Sequence, residues 1–241
     1  MDSEAKRRII VALDFPSLKQ AYAMARKLAR HVGMFKIGKQ LFTAAGPEAL
    51  ERISTLGPQI FLDLKYHDIP NTVAGAIRAA VALPGLALVN VHALGGRRMM
   101  EAAVQAMPRG ARRPRLLAVT ILTSLDQQAL REVGIQGTPH DRAVRLAQLA
   151  RDCGVDGVVA SPLEVRSIRK TCGPGFLIVT QGIRPAGSDL HDQKRTATPE
   201  ETIRNGADYL GVGRAITQSR NPAAAANAVV AEIAQALRGT N

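Results

Sequence analysis

The chain has 241 residues, of which 32 are basic and 20 acidic, so its formal net charge is +12. At this length the chain could be one large domain or two small ones, and the sequence lacks a run of about 18 apolar residues that could span a membrane. Aromatic residues make up only 3% of the chain, which argues against a stacking platform for single-stranded nucleic acid. Nucleic acid is therefore not an expected partner, despite the charge.

The cysteines and the start of the chain predict the compartment. Cys153 and Cys172 are too few for a disulfide framework and lack metal-ligand spacing. The first apolar run stops at Asp14 and is too short for the apolar region of a signal peptide. We therefore expect a cytoplasmic protein with reduced thiols.

Short apolar runs alternate with longer segments of helical period, at the spacing of about thirty residues that a strand–helix unit needs. The predicted strands are 9–14, 34–38, 60–65, 87–92, 116–122, 157–161, 176–180 and 209–213. Eight such repeats without a low-complexity linker predict a closed (β/α)8 barrel, with residues 1–241 as a single domain. An open doubly wound sheet is the alternative, but no G-x-G-x-x-G motif follows the first strand.

Two connections are longer than the others. Within the first, residues 126–133 have the pattern of an extra short helix. The second, residues 184–198, is polar and flanked by glycine and proline, which predicts a mobile loop rather than a core element.

Polar side chains follow most of the predicted strands, where a barrel of this type has its active site. These residues are Asp14, Lys36, Asp63, Lys65, Asn90, His92, Thr123, Ser161, Thr180 and Arg214. Because charges recur after strands one, two, three and eight, the sequence predicts a charged site at one end of the barrel.

The third strand has the densest charge pattern. Asp63 and Lys65 are two residues apart and therefore share a face of the strand, and Asp68 follows in the loop. A carboxylate and an ammonium at the end of an apolar strand are costly to desolvate unless they are paired. The sequence favours a catalytic pair, and a purely structural ion pair is the alternative.

The last two strands end in residues suited to phosphate. Residues 181–185 read QGIRP and residues 211–214 read GVGR. Glycine permits close backbone approach, and arginine binds an oxyanion through two parallel donors. Phosphate sites of barrels often lie after strands seven and eight, so we expect one here.

Residues 63–72, which read DLKYHDIPNT, resemble the signature of the orotidine 5'-phosphate decarboxylase family. Other segments match the family in the same order: 11–14, 35–39, 89–93 with 95–96, 119–124, 182–185, 192–193 and 211–214. Gln181 departs from the pattern, because the family usually has proline there. The resemblance implies a cofactor-independent, metal-free enzyme that converts orotidine 5'-phosphate to UMP and works as a homodimer with shared active sites.

The resemblance also implies residue roles. Lys65 would stabilise a carbanion at C6 of the pyrimidine and then protonate it, with Asp63 beside the departing carboxylate. Lys36 and Asp68 would complete an alternating chain of charges around this pair. For substrate binding it implies Asp14, Lys36 and Thr72 at the ribose, Thr123 at the pyrimidine, and Gln193, Gly213 and Arg214 at the phosphate, with Arg184 in the same binding set.

Two rival functions remain open at this point. A metal-dependent sugar-phosphate decarboxylase or an aldolase on a similar barrel would need a carboxylate cluster for a metal, or a neutral Schiff-base lysine. Asp63 and Asp68 flank Lys65, and they favour the charged ammonium over that neutral amine. A basic polyanion-binding protein is the second rival, and steeply salt-dependent binding to DNA or RNA would indicate it.

Overall fold

The computed structural model describes residues 3–183 and 197–239. Eight parallel strands form a closed barrel in sequence order, with β8 pairing back onto β1. The strands are β1 Ile9–Ala12, β2 Met34–Gly38, β3 Gln59–Tyr66, β4 Leu86–His92, β5 Arg115–Val119, β6 Gly157–Ala160, β7 Leu177–Gln181 and β8 Tyr209–Val212. The predicted (β/α)8 barrel is confirmed.

Helices connect consecutive strands along the outside of the barrel. They are α1 Ser3–Arg7, α2 Leu18–Leu28, α3 Lys39–Ala45, α4 Glu48–Ser54, α5 Pro70–Ala80, α6 Gly96–Ala106, α7 Gln127–Glu132, α8 Pro139–Asp152, α9 Val165–Cys172, α10 Pro199–Arg204, α11 Arg214–Thr217 and α12 Pro222–Arg238. The extra short helix predicted between β5 and α8 is α7, and the Asp126 side chain caps it by accepting from the Ala129 amide. In the described part of the chain, no helix meets the length and hydropathy needed to cross a bilayer.

Two strands end two or three residues earlier than the sequence predicts, whereas the ends of the other six lie within one residue of the prediction. β1 ends at Ala12 rather than Asp14, and β5 ends at Val119 rather than Leu122. The apolar character continues past both ends because Leu13 and Ile121 remain buried in the loops that follow. An apolar run therefore marks the buried segment and overestimates the hydrogen-bonded strand.

The strands are apolar on both faces because each face is buried against a different layer. Inward residues such as Ile10 and Phe61 fill the barrel, while outward residues such as Val11 and Leu62 pack beneath the helices. On β3 the alternation puts Asp63 on the inward face that Phe61 also occupies. Apolar side chains thus fill the barrel interior, and charged side chains lie at the end where the strands finish.

Candidate active site

Four charged side chains meet at the mouth of the barrel, after β1 and on β2 and β3. Lys36 Nζ lies 3.0 Å from Asp14 Oδ1 and 3.4 Å from Asp63 Oδ2. Lys65 Nζ lies 2.7 Å from Asp63 Oδ1. The structure therefore brings together Asp14, Lys36, Asp63 and Lys65 in a chain of alternating charge.

Asp63 is the centre of this network, and its side chain is 1% exposed. Burial alone would raise the pKa of the Asp63 carboxyl, but Lys36, Lys65 and hydrogen bonds from Lys65 and Asn90 lower that pKa to about 2. For Lys36, burial lowers the pKa, while Asp63 and Asp14 more than offset this effect and leave the pKa raised. Both groups are consequently charged at neutral pH.

A bulge in β3 places Lys65. Leu62 pairs with Val89 and Tyr66 pairs with Val91, so three residues of β3 lie opposite Asn90 of β4. Among the described residues other than glycine, only Lys65 has a positive φ, of 53°. That left-handed conformation costs a non-glycine residue about 1–2 kcal/mol, so surrounding contacts must hold it.

Asn90 is the residue that contacts the bulge from β4. Its Oδ1 accepts a hydrogen bond from the Lys65 backbone N–H at 2.7 Å, and its Nδ2 donates to Asp63 Oδ1 at 2.6 Å. The sequence places Asn90 at a strand end but gives it no role, because a bulge on the neighbouring strand has no sequence signal here.

Gln181 also contacts the network. Its Nε2 donates to Asp63 Oδ2 at 3.2 Å from the end of β7. The sequence marks this residue only as a departure from the family pattern. In the structure, glutamine at this position gives the buried Asp63 carboxylate an additional hydrogen bond from an uncharged donor.

Asp68 and Thr72 lie away from this network. Asp68 is exposed, and its Oδ1 accepts from the amide of its neighbour Ile69 at 2.6 Å. No ion pair joins Asp68 to Lys65 within the described residues of this one chain, so Asp14 rather than Asp68 ends the chain of four charges. Thr72 is exposed in the first turn of α5.

The expected phosphate and pyrimidine residues are described only in part. Gly213 precedes α11 as its N-cap, and Arg214 is the exposed first residue of that helix. Thr123 is half-buried in the loop after β5. Residues 184–196 lie outside the described residues. They include Arg184, Gln193 and most of the loop predicted at 184–198.

His92 is the last residue of β4 and lies close enough to Lys65 to sense its charge. Its ring stacks on His67 with the centroids 5.4 Å apart, and its Nδ1 accepts from the Leu94 amide at 3.3 Å. Burial, followed by the nearby charges of His67, Lys65 and Lys39, lowers the pKa of His92 to about 4. Across the described ranges, no group of three His, Cys, Asp or Glu side chains is placed to hold a metal ion.

Comparisons with known proteins show the family of this chain. Residues 7–229 match the family model described as the orotidine 5'-phosphate decarboxylase / HUMPS family. The chain therefore belongs to this family.

Individual relatives cover nearly the whole chain. It is 55% identical over 233 residues to an orotidine 5'-phosphate decarboxylase of Trichlorobacter lovleyi, covering 95% of this chain and 96% of that protein. It is 53% identical over 235 residues to the enzyme of that name from Moorella thermoacetica, covering 95% and 93%.

A solved structure extends the likeness to three dimensions. The crystal structure of orotidine 5'-phosphate decarboxylase from Lactobacillus acidophilus superposes with a TM-score of 0.82 at 38% identity, covering 94% of this chain and 99% of that one. These relatives support the decarboxylase interpretation, and they do not support the metal-dependent sugar-phosphate decarboxylase or aldolase alternative.

Proposed function

We propose that this protein decarboxylates orotidine 5'-phosphate to UMP without a cofactor. The observation that carries the proposal is the buried Asp63 carboxylate, which holds Lys65 Nζ at 2.7 Å at the mouth of the barrel. Relatives that are 51–55% identical bear this enzyme name. The substrate is thus a free nucleotide rather than a nucleic acid.

The chemistry places a specific demand on the site. When CO2 leaves C6 of the pyrimidine, the electron pair of the broken C–C bond stays on C6, where the ring cannot delocalise it. A positive charge fixed next to C6 stabilises that pair, and the same group can then supply the proton. Lys65 meets both requirements, and it regains its proton from solvent after UMP leaves.

Asp63 has two effects in this proposal. It fixes the ammonium of Lys65 in place before substrate arrives, so little reorganisation accompanies the reaction. Its negative charge also lies next to the position of the substrate carboxylate, and the repulsion is relieved as CO2 departs. Lys36 and Asp14 maintain the charge of the network on the opposite side of Asp63.

The remaining family residues would bind the parts of the substrate that do not react. Asp14, Lys36 and Thr72 would contact the ribose, and Thr123 the pyrimidine. The phosphate would lie against Gly213 and Arg214, with Gln193 and Arg184. Binding energy gained at the phosphate can be used to orient the base over Lys65.

We further propose a homodimer in which Asp68 and Thr72 complete the partner's active site. Four exposed apolar side chains occupy the loops after the consecutive strands β3, β4, β5 and β6: Ile69 at 66%, Leu94 at 43%, Leu122 at 37% and Leu163 at 56% exposure. They lie at the end of the barrel where the site is, and Ile69 is adjacent to Asp68. A two-fold interface over these loops would cover them and carry Asp68 towards the Lys65 of the other subunit.

The cytoplasm is the compartment we propose. Cys153 and Cys172 are free thiols rather than a disulfide, as a reducing environment maintains them.

The experiment that tests the function follows the loss of orotidine 5'-phosphate absorbance with purified protein after exhaustive treatment with a chelator. Turnover should persist, and UMP should be the product, because the Lys65 ammonium supplies the positive charge that a metal ion would otherwise give. Absence of turnover would refute the assignment, and activity that returned only with Mg2+ or Zn2+ would refute its metal-free form.

A further inference from the structure

The amide of Asn90 joins the two reacting charges from the neighbouring strand. Its Oδ1 accepts a hydrogen bond from the Lys65 backbone N–H at 2.7 Å. Its Nδ2 donates a hydrogen bond to the Asp63 carboxylate at 2.6 Å. Asn90 is 0% exposed and lies on the inward face of β4 between Leu88 and His92. It is therefore buried behind the charged groups that it contacts.

We propose that Asn90 is a positioning residue that fixes the Lys65–Asp63 pair, an inference that rests on the decarboxylation proposed above. The bulge in β3 removes the Lys65 N–H from the regular ladder, since Leu62 and Tyr66 are the residues that pair with β4 on either side of it. Asn90 replaces the missing ladder acceptor with its own side chain. It thereby holds Lys65 at φ 53° and aims its side chain back at Asp63.

Only a side chain with a donor and an acceptor side by side can make both contacts. The N–H of Lys65 requires an oxygen, and the carboxylate of Asp63 requires an N–H, so the two partners fix which way the amide points. An aspartate in this place keeps the acceptor for Lys65 but sets a second carboxylate against Asp63. An alanine loses both contacts. Comparison of these two substitutions therefore separates the contact with the Lys65 N–H from the contact with the Asp63 carboxylate.

Amide hydrogen exchange tests the positioning without any substrate. In the wild type the Lys65 amide should be protected, and Asn90→Ala should lower its protection by about tenfold or more, the scale of one lost hydrogen bond. Asn90→Asp should preserve protection because the acceptor remains. The matched control is Asn227→Ala, which removes an asparagine that bonds His31 at 2.8 Å outside the site and should leave the exchange of Lys65 unchanged.

Kinetics tests the consequence for the reaction. Asn90→Ala should lower kcat by about 10–100-fold, the scale of a misplaced catalytic group, while UMP affinity stays near the wild-type value. Asn90→Asp should be impaired at neutral pH and recover relative to the wild type as the pH falls. Two adjacent carboxyl groups share a proton at low pH, and the protonated group can donate to Asp63 again. A purely structural role would not produce this difference in pH profile.

The outcomes separate this inference from the proposed function. If wild-type protein converts orotidine 5'-phosphate and folded Asn90→Ala matches its kcat, the positioning role is wrong and the function stands. If wild-type protein shows no conversion, the function is wrong, and the exchange of the Lys65 amide still decides whether Asn90 holds the bulge. Should Asn90→Ala fail to fold, Asn90→Asp decides: a pH profile parallel to that of the wild type would overturn the proposal.

Discussion

Lys65 Nζ lies 2.7 Å from Asp63 Oδ1, with the Lys65 side chain 21% exposed and the Asp63 side chain 1% exposed. The carboxylate is thus fixed inside the barrel, while the ammonium that it holds is partly exposed at the barrel mouth. A charge held in this way is ready to meet a developing negative charge without reorganisation.

Replacing Lys65 by alanine should therefore abolish nearly all turnover while leaving product binding intact. Lys65→Ala should lose at least about three orders of magnitude in kcat, since both proton delivery and charge stabilisation disappear. UMP should still bind in calorimetry, because the variant keeps the residues proposed to contact the phosphate and the ribose. Lys27→Ala is the matched control, since Lys27 is an exposed lysine in the last turn of α2 and should keep wild-type turnover. Removal of a general acid should leave far less than about a tenth of wild-type turnover. A Lys65→Ala variant that keeps more than this would show that Lys65 is misassigned.

Removing Arg214 should affect the phosphate specifically. Arg214→Ala should weaken the binding of orotidine 5'-phosphate by about 2–4 kcal/mol, the scale of charge-assisted and buried polar contacts. Competition assays should show a much smaller loss of affinity for the nucleoside orotidine, which lacks the phosphate. Arg220→Ala, another exposed arginine beyond α11, serves as the control. Equal losses for both ligands would place Arg214 outside the phosphate site.

Mixing two inactive variants should restore activity if the sites are shared. After subunit exchange, a dimer of one Lys65→Ala chain and one Asp68→Ala chain has one doubly damaged site and one intact site. Random exchange at equal amounts makes about half of the dimers mixed, so activity should recover to roughly a quarter of that of the wild type. Gel filtration must confirm both the dimer and the exchange. A fully exchanged mixture that stays as inactive as its parents would contradict the shared site.

His92 should make stability depend on pH below neutrality. The pKa of His92 is lowered to about 4 from 6.5, so between these values the unfolded chain binds a proton that the folded chain does not. The free energy of unfolding should fall by about 1–3 kcal/mol as the pH drops through this window, and the contribution is fully present above it. His92→Asn keeps an acceptor for the Leu94 amide and should remove this dependence. Urea denaturation at a series of pH values measures the free energy of unfolding. If this free energy falls equally with pH in the variant and in the wild type, the assignment to His92 is wrong.

The sequence was sufficient for the barrel and for most of the charged network. Apolar runs at a regular spacing predicted all eight strands, because a parallel sheet buried on both faces needs continuous apolar segments. The two-residue spacing of Asp63 and Lys65 predicted that they share a face. The ends of β1 and β5 were placed too late, because Leu13 and Ile121 are buried by loops rather than by strand pairing.

The contacts of Asn90 and Gln181 could not be predicted in this way. Both depend on register between strands: Asn90 meets Lys65 only because β3 bulges against β4, and Gln181 meets Asp63 across the barrel. A single sequence contains no local signal for a bulge at a non-glycine residue. In the homodimer proposed above, a contact between Asp68 and Lys65 would similarly depend on a second subunit, which the sequence of one chain does not reveal.

Decarboxylation in D2O, followed by NMR for the wild type and for Lys65→Ala, tests whether Lys65 carries the loss of CO2 and the protonation of C6. We expect the wild type to release one CO2 per orotidine 5'-phosphate and to yield UMP with one deuterium at C6. Lys65→Ala should do so only at the greatly reduced rate given above. Unchanged substrate with the wild type, or equal rates of deuterated UMP formation by both proteins, would contradict this expectation.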